Sequence, residues 1–205
     1  DADDDEDIKG ELLASVIYTA DVLSDMLHTL LEVSRLDTGD VIPRYQQFSM
    51  QDIFVRMHTD FAELAQEKKL TLRIESCQVE VYSDFLLLER VLRNLLSNAV
   101  RYTERGEISV RGYVIGKMLQ IDVTDSGIGI AAEHMPHIFD EYYQVGNQQR
   151  TRSQGLGLGL AIVQRTAQLL SCPLHVESKL GVGSRFSLQV PLQTSSVIIK
   201  NNAKN

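Results

Sequence analysis

Two asparagines four residues apart are the first residues of this sequence that point to chemistry. Asn94 and Asn98 lie in a leucine-rich stretch with a helical pattern, so their side chains share one helical face. Asparagine is a mediocre helix former, and two on one face call for an explanation. An amide oxygen can complete the oxygen shell of a Mg²⁺ ion that phosphates already hold. A pair of core amides bonded to the backbone is the alternative that this pattern leaves open.

Three glycine clusters follow later in the chain. Residues 125–129 (DSGIG) end a predicted strand, where a carboxylate can accept a hydrogen bond from an exocyclic amine and glycines let a ligand ring approach the backbone. Residues 155–159 (GLGLG) open a predicted helix, where exposed N–H groups favour a phosphate. Residues 181–184 (GVGS) separate the last two predicted strands. Taken singly, the three clusters also fit an ordinary turn, tight helix packing and a hairpin turn.

The elements that would position these residues follow from hydrophobic periodicity. It predicts a long first helix over 11–36, and later helices over 51–67, 84–100 and 156–170. Ser83 and Asp84 provide a cap for the helix that carries the asparagines. Strands are expected at 46–49, 70–75, 79–82, 108–115, 118–124, 174–178 and 184–191. Mixed strands with three helices predict an α/β (α+β) two-layer sandwich, in which one mixed sheet is covered on one face.

The first helix carries a heptad stripe, which is typical of a helix that packs on partner helices. Its members are Val16, Ala20, Leu23, Leu27, Leu30 and Ser34. Gly39 provides a natural C-terminal cap. We therefore expect a helical region over 1–42, a globular domain over 43–192 and a tail over 193–205.

Composition narrows the class of protein. The 205 residues are 43% hydrophobic and 23% charged, as in a globular domain, and no apolar run reaches the roughly 18 residues of a membrane span. Six acidic residues among the first seven account for most of the net charge of −8, so no broad basic face for nucleic acid is expected. Cys77 and Cys172 have no metal-binding or redox spacing, which indicates two buried free thiols in a reducing cytoplasm.

Taken in order, the four clusters resemble the N, G1, G2 and G3 boxes of the Bergerat-fold ATPases, and more closely those of the sensor histidine kinases. Residues 138–143 (IFDEYY) resemble the F box of these kinases, and residues 31–37 (LEVSRLD) resemble the second helix of their dimerisation domain. The resemblance covers about residues 23–192. It implies a Bergerat-type fold that binds ATP and Mg²⁺.

The resemblance also implies roles for the residues around the base and the metal. Asn98 would be the Mg²⁺ ligand, with Asn94 beside it near the phosphates. Asp125 would accept a hydrogen bond from the adenine amine, which selects ATP over GTP. Gly127 and Gly129 would pass beneath the base, and Tyr102 would cover its face.

Further roles concern the phosphates and the loop over 144–154, expected to be a mobile lid because it has almost no apolar anchor. Arg101 would reach a phosphate, where such kinases often have lysine, and Phe139 and Tyr142 would anchor the lid's hinge. Arg150 and Arg152 lie in the lid; one is expected at the γ-phosphate, and a solvated loop charge is the alternative. The other nucleotide-binding positions are Gly155, Leu156, Gly157, Leu158, Gly159, Gly181, Gly183 and Ser184.

Two departures from the family pattern bear on activity. Asn94 stands where hydrolysing relatives carry the glutamate that activates water, and an amide takes no proton. The family's phosphate-accepting histidine is followed at once by Glu or Asp. None of the five histidines (His28, His58, His134, His137 and His175) has such a neighbour. The expectation is a partial dimerisation region without the phosphoacceptor, and a chain inactive in autophosphorylation by itself.

The expected activity is therefore histidine phosphorylation on a dimerisation helix outside this chain. Expected partners are a response regulator or fused receiver domain, and a second copy in a homodimeric parent. The expected location is the cytoplasm, with membrane attachment only through other segments of the parent. Two alternatives stay open: an anti-sigma-factor-like serine kinase of the same fold, and a nucleotide-binding module that signals by shape alone.

Overall fold

The computed structural model describes residues 38–145 and 156–192, together with individual positions between 12 and 36. The elements of residues 38–145 and 156–192, in chain order, are β1 (Tyr45–Ser49), α1 (Met50–Glu67), β2 (Thr71–Ile74), β3 (Glu80–Asp84), α2 (Phe85–Tyr102), β4 (Glu107–Ile115), β5 (Met118–Asp125), a 3₁₀ turn (Met135–His137), α3 (Gly159–Leu169), β6 (Leu174–Lys179) and β7 (Gly183–Pro191). Each predicted strand is present, with bounds shifted by one or two residues.

Five of the strands form a mixed sheet in the order β2-β4-β5-β7-β6. Strand β2 runs parallel to β4, and the other neighbouring pairs are antiparallel. Strands β1 and β3 form a separate antiparallel pair, so the expectation of a single sheet is wrong in this respect. Alternating hydrophobicity identifies a strand, but it does not say which strand is its neighbour.

One face of the five-stranded sheet carries the core. Leu119, Ile121 and Val123 alternate along β5 and are buried, and each of the three helices contributes buried residues to the same cluster. The opposite face is polar: the Tyr113 hydroxyl donates to Asp122 at 2.8 Å, and Gln120 bonds to both. The predicted two-layer sandwich, with a mixed sheet covered on one face by three helices, is confirmed.

Helix α2 carries the two asparagines and is fixed at both ends. The Asp84 carboxylate accepts the Leu87 N–H at 3.0 Å, which satisfies a free donor of the first turn, so the predicted cap is confirmed. At the other end the Lys68 ammonium donates to the Val100 carbonyl at 2.8 Å. A cation there satisfies an unpaired carbonyl and complements the helix dipole.

Helix α3 begins at Gly159, three residues later than expected. Gly157 has φ +72°, a left-handed conformation that no continuous α-helix contains. Its carbonyl accepts the Tyr142 N–H at 3.2 Å, so residues before the helix bond to the F-box segment instead of to the next turn. The prediction of a helix over 156–170 is corrected accordingly.

The described positions between 12 and 36 are helical, as predicted. The Thr38 N–H donates to the Ser34 carbonyl at 3.0 Å, and Gly39 follows with φ +72°. Two members of the heptad stripe, Val16 and Leu27, are 63% and 62% exposed. The acidic run, the tail, and the predicted site residues Arg150, Arg152 and Gly155 lie outside the described residues, as does most of the expected lid. Among the helices within the described part of the chain, none has the length and apolarity to cross a membrane.

Candidate nucleotide-binding site

The two asparagines of α2 face the start of α3. The Asn94 amide donates to the Arg90 carbonyl of its own helix at 3.0 Å, which turns its oxygen toward Gly159. A Cβ atom built on Gly159 would lie 3.2 Å from that oxygen and 4.0 Å from the Asn98 amide nitrogen. The side chains of the N box and the backbone of the G2 box therefore line one space. The Asn94 oxygen, the Asn98 amide and the helix-starting N–H groups there suit a metal-bound phosphate chain.

Asp125 ends β5 with its carboxylate held by backbone groups. Its Oδ1 atom accepts the Gly127 N–H at 2.8 Å, and the Ser184 N–H is a second donor to the carboxylate. Burial raises the pKa of Asp125 above its ordinary value, although the two N–H groups lower it. The result is a fixed, partly desolvated acceptor. An exocyclic amine would find its partner already oriented.

The loop after Asp125 joins the end of α2. The Ile128 N–H donates to the Tyr102 carbonyl at 3.1 Å, and a Cβ on Gly127 would overlap that carbonyl. Tyr102 is 41% exposed beside this loop. On the other side the Gly181 N–H donates to the Ile128 carbonyl at 2.7 Å. The G1 loop thus bridges the N box and the G3 turn.

The F-box segment is tied to α3 on two sides. Tyr142 bonds to Gly157 through the backbone, and Glu141 forms an ion pair with Arg165 of α3. Phe139 packs against the main core, whereas Tyr142 is 55% exposed and has φ +61°. The described end of this segment is therefore anchored to the element that follows the expected lid.

The side chains of two predicted site residues, Leu156 and Leu158, pack in an apolar cluster. Leu158 is buried with Ile162 in a small apolar cluster, and Leu156 and Leu36 pack against it. The leucines of the GLGLG segment therefore face the protein, so the backbone is the part of this segment that could contact a ligand. The backbone of Gly183 lies against the end of β5, since a Cβ there would overlap the Asp125 carbonyl.

A family described as "Histidine kinase-, DNA gyrase B-, and HSP90-like ATPase" matches residues 83–194 of the sequence. The match runs from the cap of α2 through the end of β7, which includes every box described above. This chain belongs to that family. The sandwich with a converging N box and glycine loops is the family's ATP-binding fold, as the motifs predicted.

Sensor histidine kinases are among the relatives within the family. CusS of Escherichia coli K12 is 33% identical over 187 residues, a match that covers 91% of this chain and 38% of CusS. RcsC of Salmonella typhimurium is 29% identical over 196 residues, 94% of this chain and 21% of RcsC. The chain thus spans about two fifths or less of these relatives. The prediction of a histidine kinase ATP-binding domain is confirmed.

A solved structure supports the same fold. Full-length ShkA, whose structure is described as a complex with AMPPNP, superposes with a TM-score of 0.78 at 24% identity. The match covers 89% of this chain and 38% of ShkA.

Three residues that hold the elements around the candidate site were not identified from sequence. Lys68 lies 32 residues before the carbonyl that it caps, and Arg165 pairs with Glu141 across 24 residues. Ser178 contacts both glycine loops through its hydroxyl. No local sequence pattern predicts such long-range bonds. Ser178 does have one signal, because it is the polar residue that follows Leu174 and Val176 at alternate positions of β6.

Proposed function

We propose that this domain binds Mg·ATP and supplies the γ-phosphoryl group to a histidine on a dimerisation helix. The observation that carries the proposal is the Asp125 carboxylate, fixed by the N–H groups of Gly127 and Ser184 where the G1 loop meets the N-box helix. A half-buried carboxylate that only backbone N–H groups orient fits the amine of adenine, whereas the carbonyl of guanine would be repelled. The family relationship supports ATP as the nucleotide.

The Mg²⁺ proposal rests on Asn98 and its neighbours. Asn98 and Asn94 are half-buried and face the Gly159 backbone, so their amide groups lie beside the expected phosphate site. Rotation of the Asn98 amide would present its oxygen to a phosphate-bound ion. When bound, Mg²⁺ would neutralise charge on the phosphates. Within the described part of the chain, no group of three or more His, Cys, Asp or Glu could hold a metal ion by itself.

The remaining residues orient the nucleotide and exclude water. The N–H groups at the start of α3 would bind phosphate oxygens, and Arg101 would add a positive charge at the end of α2. Tyr102 would cover the exposed face of the base. Phosphoryl transfer needs positioning and charge neutralisation more than covalent help from the protein, so this set is sufficient for the donor half of the reaction.

The acceptor half would come from another segment of the parent protein, because no histidine of this chain is followed at once by Glu or Asp, as the family's acceptor is. Relatives such as CusS and RcsC support a parent that works as a sensor kinase, with a response regulator or receiver domain as the next phosphate acceptor. We further propose a homodimeric parent, since the heptad stripe leaves Leu27 exposed in one copy. ATP is a cytoplasmic nucleotide, which favours the cytoplasm as the domain's location.

Calorimetric titration tests the proposal. ATP should bind in the presence of Mg²⁺, GTP should bind at least tenfold more weakly, and EDTA should lower ATP affinity. Asn98→Ala should remove most of the EDTA effect, because it deletes the protein's ligand to the ion. Ser97→Ala, the neighbouring residue on the same helix, is the control and should retain the effect. Equal affinity for GTP, or an Asn98→Ala variant with undiminished metal dependence, would contradict the assignment.

A further inference from the structure

Three neighbouring strands each replace an apolar residue by a polar one at the same end of the sheet. On the core face, β5 alternates Leu119, Ile121, Val123 and then Asp125. In β7, Ser184 is the first residue on this face, and the apolar residues follow at every second position. Ser178 takes the corresponding place in β6, after Leu174 and Val176. The strand register places Asp125 opposite Ser184, and Ser184 opposite Ser178. Ser178 is therefore the third member of a polar row that begins at the proposed adenine carboxylate.

The Ser178 hydroxyl makes three contacts, one with Ser184 of this row and two with the backbone of the glycine loops. It accepts the Ile130 N–H at 2.8 Å and donates to the Gly183 carbonyl at 2.9 Å. The Ser184 hydroxyl lies 2.9 Å away. A hydroxyl has one proton. Because that proton goes to Gly183, the bond between the two serines takes its proton from Ser184.

These contacts connect both glycine loops to one side chain. Ile130 follows the G1 glycines, and Gly183 and Ser184 form the G3 box. Ser184 in turn donates its N–H to the Asp125 carboxylate. A shift of the G3 turn would therefore move one of the two donors that orient Asp125, and a shift of the G1 loop would move the other.

We propose that Ser178 is a positioning residue for adenine recognition. Its hydroxyl holds the G1 and G3 loops in the register that aims the Asp125 carboxylate at the amine of the base. Ser178 need not touch the nucleotide. The proposal deepens the proposed function and rests on it, because it has meaning only if Asp125 recognises adenine.

Purine selectivity distinguishes positioning from a general contribution to folding. ATP and inosine triphosphate differ only at the 6-position and in the proton on N1, so their affinity ratio reports the carboxylate contact. Both affinities would be measured on the whole 205-residue chain by displacement of a fluorescent ATP analogue. Ser178→Ala should lower ATP affinity about three- to tenfold, leave inosine triphosphate affinity within about twofold of its original value, and so reduce the ratio.

Matched variants control for loss of a serine and for side-chain size. Ser187→Ala removes a buried serine of the neighbouring strand β7 that lies outside the polar row. It should leave the ratio of ATP affinity to inosine triphosphate affinity unchanged. Ser178→Thr keeps the hydroxyl and should retain selectivity, whereas Ser178→Val has nearly the same size without the hydroxyl and should lose it. The Thr and Val pair gives the same comparison if Ser178→Ala does not fold.

Two results would overturn the proposal. If Ser178→Ala and Ser178→Val lower both affinities equally, or change neither, Ser178 does not position the carboxylate. If the unmodified chain does not prefer ATP to inosine triphosphate, the adenine site itself is wrong and the role of Ser178 falls with it. The unmodified chain thus separates failure of this proposal from failure of the proposed function.

Discussion

Asp125 and Asp122 show how position on one strand gives two carboxylates different uses. Both belong to β5, but Asp125 ends the core face beside the glycine loops, whereas Asp122 lies on the opposite face. Asp122 accepts the Tyr113 hydroxyl, and this bond is the main reason that the pKa of Tyr113 is raised. Asp122 therefore belongs to the protein's own hydrogen-bond network. Asp125, among the described residues, accepts only backbone N–H groups, so it can also accept from a ligand.

The first prediction compares these two aspartates. Asp125→Asn should weaken ATP binding by roughly ten- to a hundredfold, since a hydrogen bond to a charged group contributes about 1.5–3 kcal/mol. Asp122→Asn removes a carboxylate from the same strand and should change ATP affinity less than threefold. Calorimetric titration of both variants with Mg·ATP gives the comparison. Undiminished binding by Asp125→Asn would show that the base lies elsewhere.

At the scale of elements, the turn between β6 and β7 places two glycines in different surroundings. Both have positive φ, +76° at Gly181 and +128° at Gly183. A Cβ on Gly181 would meet no atom within 4 Å, whereas one on Gly183 would overlap the carbonyl of Asp125. The turn can therefore tolerate a side chain at the first position far better than at the second, where two backbones are in contact.

The second prediction follows from this difference. Gly181→Ala should lower the free energy of unfolding by about 1–2 kcal/mol, the usual cost of a left-handed conformation in a residue with a Cβ. Gly183→Ala should cost roughly 3 kcal/mol or more, because strand β7 must also move away from β5. Urea denaturation measures both. Equal losses of unfolding free energy in the two variants would mean that β7 can move away from β5 without destabilising the fold.

Strands and helix starts could be predicted from the sequence, but strand pairing and the exact start of α3 could not. Period-two alternation predicted the strands, and the Asp84 cap located the start of α2, because both are properties of neighbouring residues. The separate pairing of β1 with β3 was not predicted, because α1 and β2 lie between these two strands in the sequence. The later start of α3 was not predicted either: Leu156, Gly157 and Leu158 continue a helical pattern, but Gly157 adopts a left-handed φ to meet Tyr142.

The same limit applies to the site. Asn94, Asn98 and the glycines were identified because their types and order are unusual, and the structure brings Asn94 and Asn98 to Gly159, and Gly127 to Tyr102. Lys68 and Ser178 were missed because lysine and serine are common on surfaces and their partners are distant in sequence. Cys77 and Cys172 are buried free thiols as predicted, and burial raises the pKa of Cys172 to about 12.

At the scale of the whole molecule, the chain combines a candidate nucleotide site with a helix whose described apolar residues are largely exposed. Leu27 is 62% exposed and Leu30 is 39% exposed on the stripe that was predicted to pack on partner helices. Leu36, at the end of the same helix, instead packs against Leu158 and Ile162 beside the G2 box. The helix is thus connected to the ATP-binding domain at one end and presents apolar side chains along the rest of its described length.

The last prediction is that this chain alone binds ATP without using it. Asn94 takes the place of a base for water, and an amide does not accept the proton that hydrolysis releases. None of the five histidines is followed at once by Glu or Asp, the pattern of the family's phosphate-accepting histidine, so no acceptor for the phosphoryl group is expected within the chain. Incubation with γ-labelled ATP and Mg²⁺ should give neither labelled protein nor free phosphate above the background of an Asp125→Asn control. Addition of a separate helix pair that carries a histidine followed by a carboxylate should yield acid-labile label on that pair, because the donor site is otherwise complete. Label on this chain by itself would reveal an acceptor, and a His28→Gln variant would test the first candidate, the histidine that follows Leu27 of the heptad stripe.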